Sequence, residues 1–188
     1  MNTQVRNLLL KNFGDFIKAV YGESKYGIWL NNLKSGAKEL YTADKFTSRW
    51  YDAEEFYTDP MIVLCRIFDK GHTEAAWQSG AWGVAGWLKG RIMWIFEKLN
   101  TELMLKTFLP QAAIHYYRPV KIKEITVKKG EAVIYVEGMH GAENLLAFRF
   151  GGGLEKTLQI KGCKDVTVQI GSCTRKNAEC TAFFVNWK

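Results

Sequence analysis

The sequence predicts an α+β fold in which N-terminal helices pack on a four-stranded antiparallel sheet. Two observations predict it. Apolar residues recur at helical spacing through the first part of the chain, and after Pro119 the pattern changes to the alternation of β-strands. The chain has 188 residues, which suits a single domain. We expect a mainly helical part at 1–119 and a hairpin–helix–hairpin part at 120–188.

The first helices follow from periodicity and capping residues. Apolar side chains at helical spacing in 9–20 predict one amphipathic helix, and a second helical stretch covers about 25–40. Asp52 and Glu55 have the spacing of a capping box, with a side-chain acceptor at the N-cap and Glu at the third position. Pro60 suits the first position of the next helix, where its missing N–H is harmless.

The segment 73–99 is the most unusual in the chain, and its pattern predicts one long helix. It contains four glycines, each of which costs roughly 1 kcal/mol relative to alanine in a helix. Packing must offset this cost, so we expect the helix to be central. Four of its small residues lie near a common face, where another backbone or a ligand could approach closely: Ala76, Gly80, Gly83 and Gly90.

The later elements follow from the same signals. Asn100 caps a helix that reaches about Tyr117, and Pro110 is expected to kink or restart it. Segment 142–161 is mostly helical in spite of three consecutive glycines. Four strands are expected in two pairs, 120–127 with 132–137 and 166–170 with 181–187.

Composition excludes several classes of protein. The net charge is +7, but the basic residues are scattered and form no stripe with base-reading side chains, so nucleic-acid binding is not expected. No apolar run is long enough to span a membrane, and the N-terminus lacks the features of an export signal. We therefore expect a cytoplasmic protein whose four cysteines are reduced: Cys65, Cys163, Cys173 and Cys180.

The last forty residues carry a resemblance to a known family. A helix and glycine (LEKTLQIKG) precede a strand that ends in cysteine (CKDVTVQIGSC), and a polar turn leads to a second cysteine and a strand ending in Trp (TRKNAECTAFFVNW). The middle segments AAWQSGAWGVAGWLKGRIMWIF, ELMLKTFLPQAAIHYYRP and KIKEITVKKGEAVIYVEG follow the same family's order of elements. Over about 50–188 the chain resembles the 4-vinyl reductase type of sensory domain and its H-NOX-like bacterial relatives.

This resemblance implies a fold shared with the H-NOX gas sensors, which hold haem, and with trafficking-complex subunits that hold an acyl chain. It also implies an internal apolar cavity between helices and sheet. We therefore expect a sensory or regulatory domain that binds a small hydrophobic ligand and signals to a protein partner; the oligomeric state, a homodimer included, stays open. The expected lining combines aromatic residues and one histidine: Trp77, Trp82, Trp87, Trp94, Phe108, His115, Tyr116 and Tyr117.

Haem is the first alternative ligand. H-NOX domains use a helical histidine as axial ligand and a Tyr-x-Ser-x-Arg motif that holds the propionates, and this sequence contains no such motif. A haem site would need a substitute cation near the carboxylates. His72 is expected at a helix junction and His140 in a loop, so His115 is the one axial candidate.

Zinc is the second alternative. Some 4-vinyl reductase domains hold structural zinc with cysteines of this C-terminal turn, and Cys173 and Cys180 match the two positions approximately. A tetrahedral site needs four ligands. Cys163 and Glu179 are the nearest further candidates, and two matched thiols alone can equally be small buried packing residues.

Catalysis has no sequence support. The chain lacks a Gly-x-Ser-x-Gly elbow, a P-loop and a dinucleotide fingerprint. Cys65 lies in the apolar face MIVLCRIF, which favours a core position over a nucleophile. We expect no enzyme activity, and the alternatives to a hydrophobic-ligand sensor are a haem gas sensor and an accessory or carrier subunit of an enzyme.

Overall fold

The computed structural model describes residues 3–43, 46–68, 70–87, 98–139, 144–175 and 178–188. The helices are α1 (Asn7–Tyr21), α2 (Glu23–Asn31), α3 (Ser35–Ala43), α4 (Asp59–Phe68), α5 (His72–Trp87), α6 (Thr101–Tyr116) and α7 (Leu145–Ile160), and a π-helical segment at Glu54–Thr58 leads into α4. The strands are β1 (Gln4–Arg6), β2 (Trp50–Asp52), β3 (Tyr117–Arg118), β4 (Lys121–Lys128), β5 (Glu131–Glu137), β6 (Thr167–Arg175) and β7 (Ala178–Asn186).

The predicted four-stranded antiparallel sheet is confirmed. Its strand order is β4-β5-β7-β6, so the two hairpins pair through β5 and β7, while α7 connects them. The first hairpin closes where Lys128 pairs with Glu131. Gly130 has a φ of +79° in that turn, a conformation that L-residues with side chains rarely adopt.

A second sheet was not expected from the sequence. It has three short antiparallel strands in the order β2-β1-β3, and it joins the N-terminus to the chain just before Pro119. Strands of two or three residues are too short to show alternation, so periodicity could not reveal them.

The helix boundaries correct the expectations in detail. Segment 25–40 belongs to two helices, α2 and α3, and Pro110 lies inside a continuous α6. Of the expected long helix, α5 is seen, and residues 88–97, Gly90 and Trp94 among them, lie outside the described residues.

Two of the expected caps are formed. Asp52 Oδ1 accepts hydrogen bonds from the backbone N–H groups of Glu54 and Glu55, and Asn100 Oδ1 accepts one from Leu103 N–H. These bonds satisfy backbone donors that have no partner within their own helices.

Helices α5 and α7 cross at glycine residues. A Cβ on Gly80 would overlap the carbonyl oxygen of Arg149, and one on Gly152 would overlap the carbonyl oxygen of Trp77. The expected close approach of a second backbone to the glycine face is seen at Gly80. Gly151 and Gly152 leave no room for a side chain where α5 packs against α7, so this packing accounts for glycine inside the helix.

The core extends from the aromatic cluster of the N-terminal helices, around Phe13 and Trp29, to Phe183 on the sheet. Within the described ranges, no helix has the length and apolar character needed to cross a membrane.

Candidate functional site

A cavity of about 480 Å³ lies among four helices, with walls from α1, α5, α6 and α7 and from Tyr117 of β3. The resemblance placed the cavity between helices and sheet; in the structure its lining is almost entirely helical. Phe150 lies between it and the four-stranded sheet, since the centroid of its ring is 5.0 Å from that of Phe183, with the two rings tilted by 52°. A cavity of this volume is typical of sites for small organic ligands.

Most of the cavity wall is apolar or small. The small lining residues include Gly80 and Gly83 of α5 and Gly153 of α7, whose missing side chains let the two helices pack closely beside the cavity. The larger apolar lining residues are Leu9, Val84, Met104, Leu105, Phe108, Leu109, Phe150 and Leu154. Among the described residues of the lining there is no aspartate and no glutamate.

Arg149 is the one charged side chain among the described residues that are buried, at 6% exposure, and it lines the cavity. Its Nη1 donates a hydrogen bond of 2.9 Å to Ser79 Oγ. Ser79 in turn donates to the carbonyl oxygen of Ala76 at 2.7 Å and pairs with the hydroxyl of Tyr57 at 3.1 Å. This chain of hydrogen bonds fixes the guanidinium against α5.

The tyrosines around Arg149 are neutral. Burial raises the pKa of Tyr117 to about 12, although the charge of Arg149 opposes the shift. Burial also raises the pKa of Tyr57, whose ring lies 5.5 Å from the guanidinium carbon, and that of Tyr116. At neutral pH these phenols carry no negative charge that could pair with the cation.

His115 lies at the rim of the cavity, near the end of α6. Its ring is exposed, and the Nη1 of Arg6 lies 2.6 Å from Nδ1 and 2.5 Å from Nε2. Desolvation, and then the charges of Arg6 and Arg49, lower the pKa of His115. The neutral imidazole accepts from the guanidinium, so the rim adds a second cation to the one inside.

The expected lining residues divide into two groups. Phe108, His115, Tyr116 and Tyr117 line the cavity, and their contact with a ligand stays a prediction. Trp77 and Trp82 are not among the lining residues of this cavity, and their expected part in ligand binding stays an untested prediction.

Packing accounts for both tryptophans. The ring of Trp77 lies against Gly151, and its Nε1–H donates to Glu155 on α7, while Trp82 packs edge-on against Phe16 at 6.2 Å. Trp94 and the side chain of Trp87 lie outside the described residues.

The described lining does not fit haem. An axial histidine needs a ring nitrogen whose lone pair points into the cavity. His115 is the one imidazole in the described lining, yet its ring is exposed and a guanidinium nitrogen of Arg6 lies close to both of its ring nitrogens. Arg149 could meet a carboxylate, but the described lining provides no imidazole for the iron. His72 is exposed, and His140 lies outside the described residues.

The expectation of reduced thiols at Cys173 and Cys180 is wrong in this structure. The two residues pair directly across β6 and β7, and their sulfur atoms form a disulfide. Directly opposed positions in an antiparallel pair bring the Cβ atoms close enough for this bond. Thiols joined in a disulfide are not zinc ligands, and among the described residues no three His, Cys, Asp or Glu side chains could together hold a metal ion. Cys65 and Cys163 are free.

Sequence reasoning missed Arg149 as a site residue. The signal was present in NLLAFRFGGG, where one cation stands inside an apolar helical run directly before glycines that allow close packing. A charged residue at a core-facing position is unusual unless it is paired, so this pattern could have been noticed.

No protein-family model matches the sequence, and no curated protein matches it. Solved structures do match its fold. The Fe(II) unliganded H-NOX protein from K. algicida aligns with a TM-score of 0.67 at 8% identity, over 97% of this chain and 96% of that one. A mutant H-NOX protein from S. oneidensis gives 0.59 at 12%, over 97% and 96%, and a mutant from T. tengcongensis gives 0.57 at 13%, over 97% of both. The chain therefore has the H-NOX fold, and the expected fold class is confirmed.

Proposed function

We propose that this chain is a sensory or regulatory domain of the 4-vinyl reductase and H-NOX-like type, which binds a small hydrophobic molecule in the cavity. It acts by binding and by signalling to a protein partner, without catalysing a reaction. The observation that carries the proposal is the cavity itself, about 480 Å³ with largely apolar walls among four helices. The H-NOX fold supports it as analogy, since a fold alone assigns no ligand.

The position of the cavity supports a link from ligand to signal. Its walls come from α1, α5, α6 and α7, which also build the core, so a ligand that fills it contacts the helices that determine packing. A ligand shifts a conformational equilibrium only as far as it binds one packing better than another.

The test is saturable binding of a neutral fluorescent probe, 1-aminoanthracene, with a variant that fills the cavity. Ala112 lines the cavity from α6, and Ala112→Phe should abolish binding because the new ring occupies the space. Ile114 lies on the same helix and is 56% exposed, so Ile114→Phe introduces the same side chain at the surface and should leave the affinity unchanged.

Absence of one-site binding to the wild-type protein, or equal loss in both variants, would refute the proposal. Native mass spectrometry of freshly purified protein adds an independent test, because it reports any retained ligand or metal and the stoichiometry together. The same sample separates the alternatives: a stoichiometric Soret band would indicate a haem sensor, and co-purification with an enzyme would favour a carrier subunit. The cytoplasmic location expected from the sequence stays a prediction.

A further inference from the structure

Arg149 is a buried cation without a described anion. The residue is only 6% exposed, and no described carboxylate forms an ion pair with it. A charge held away from water is costly unless it is paired. Ser79 accepts a hydrogen bond from it, and Tyr57 and Tyr117, whose pKa values are raised by burial, are neutral at physiological pH.

The guanidinium faces the cavity beside a glycine. Nη1 is engaged with Ser79, and a Cβ on Gly83 would lie 3.2 Å from Nη2. Because Gly83 has no side chain, Nη2 stays accessible from the cavity that both residues line. A guanidinium carries five N–H donors in a planar fork, which matches the two oxygens of a carboxylate.

The rest of the lining matches an apolar tail. The described part of the lining contains no acidic residue that would compete for the cation, and its larger apolar side chains are aliphatic or aromatic. With roughly 30 Å³ for each water-sized group, about 480 Å³ accommodates a tail of roughly ten carbons together with its head group. One cation inside the cavity favours one negative charge, since a second charge would lie unpaired among apolar groups.

We infer that the ligand of this cavity is a hydrophobic monocarboxylic acid whose carboxylate binds the guanidinium of Arg149, an inference that rests on the proposed function. The acid enters ionised at neutral pH, pairs with the buried cation and places its hydrocarbon part against the apolar walls. Neutral hydrophobic molecules of the same size leave the cation unpaired and bind more weakly.

The test compares acids with matched alcohols. Affinities at pH 7 are measured by displacement of 1-aminoanthracene and by calorimetry for decanoate against decan-1-ol and for 4-phenylbutyrate against 4-phenylbutan-1-ol. Charge-assisted hydrogen bonds from arginine to a carboxylate are about twice as strong as neutral ones. We expect at least one acid to bind about tenfold or more tightly than its alcohol.

Variants of Arg149 test whether the preference for acids over alcohols depends on its guanidinium. Arg149→Gln should bring the acid-to-alcohol ratio close to one. Arg149→Lys keeps the positive charge but loses the planar pair of N–H donors, so it should retain part of the acid-to-alcohol affinity ratio. Arg66→Gln, on the exposed side of α4, is the control that removes an arginine elsewhere and should leave the ratio intact.

The outcomes separate the two ideas. If the alcohols bind as tightly as the acids, or if the ratio survives in Arg149→Gln, the inference is overturned while the proposed function stands. If no probe binds the wild-type protein saturably, the proposed function fails and the inference fails with it. If Arg149→Gln does not fold, the wild-type ratio and the Arg149→Lys variant decide.

Discussion

Replacement of Gly80 by alanine tests the helix crossing on which the cavity depends. The added methyl group would overlap the carbonyl oxygen of Arg149, and the carbonyl carbon would lie 2.8 Å away. Carbon atoms in contact prefer about 3.5–4.0 Å, so α5 and α7 would have to separate by on the order of 1 Å. The obstacle is backbone, which cannot rotate away as a flexible side chain can.

The magnitude follows from two opposing terms. Overpacking a core contact typically costs about 1–3 kcal/mol and occasionally more, and the backbone clash belongs at the upper end of that range. In the opposite direction, the higher helix propensity of alanine stabilises the fold by about 1 kcal/mol relative to glycine. We therefore expect the free energy of unfolding to fall by roughly 2 kcal/mol, which for a chain of this length lowers Tm by about 4–8 °C.

Gly86 provides the matched control in the same helix. It is exposed, and a Cβ there would meet no atom within 4 Å, so Gly86→Ala should leave stability unchanged or raise it by up to about 1 kcal/mol. Urea unfolding followed by tryptophan fluorescence measures both variants. A neutral or stabilising effect of Gly80→Ala would refute the close crossing of α5 and α7.

Three further predictions concern titratable and redox groups. Oxidised protein should be more stable than reduced protein by up to about 2.5 kcal/mol because the Cys173–Cys180 link closes a short loop, and a Cys173→Ser variant, in urea unfolding with and without reductant, should show no such difference. Burial raises the pKa of Cys65 to about 11, so its protonated thiol should react with iodoacetamide more slowly than the half-buried thiol of Cys163. Peptide mass mapping measures both rates, and equal rates would contradict the buried position of Cys65. The pKa of His115 is lowered in the folded protein by desolvation and by Arg6 and Arg49, so the unfolded state binds the proton more readily and stability falls as pH drops below about 6.5. His115→Gln should remove that small decline in the free energy of unfolding between pH 7 and pH 5. If the pH profile of the variant equals that of the wild-type protein, protonation of His115 is not the cause of the decline.

Apolar periodicity, turn glycines and capping residues were sufficient to predict most of the longer helices and strands. The apolar spacing of α1, the hairpin at Gly130 and the cap at Asn100 each depend on residues close in sequence, so local chemistry determines them. The helical character of α7 was harder to predict, because its three glycines disfavour a helix. Their role becomes clear only when Trp77 and Gly80 of α5 lie against them, which is tertiary information.

The candidate site was predicted in part for the same reason. Several lining residues of α6 and β3 lie in one segment, from Phe108 to Tyr117. Sequence analysis could therefore predict them together as candidate ligand contacts. Trp77 and Trp82 share a helix with the cavity-lining glycines, but their side chains project from other faces of α5, toward α7 and α1. Composition alone could not distinguish an aromatic residue that lines a cavity from one that packs a crossing.

The glycine crossing and the buried cation are parts of one arrangement. The carbonyl group of Arg149 lies against Gly80, and its side chain reaches the hydroxyl of Ser79, the preceding residue on α5. Backbone and guanidinium are thus both held by the same turn of α5, so the donor groups are in place before any ligand arrives. Binding then requires little ordering of the protein, and preorganisation of this kind strengthens affinity by reducing the entropy lost on association. A larger residue at Gly80 would displace Arg149 together with its helix, so the stability of the crossing and the selectivity for a carboxylate should decline together. In Arg149→Lys, by contrast, the crossing stays intact and the selectivity alone should decline.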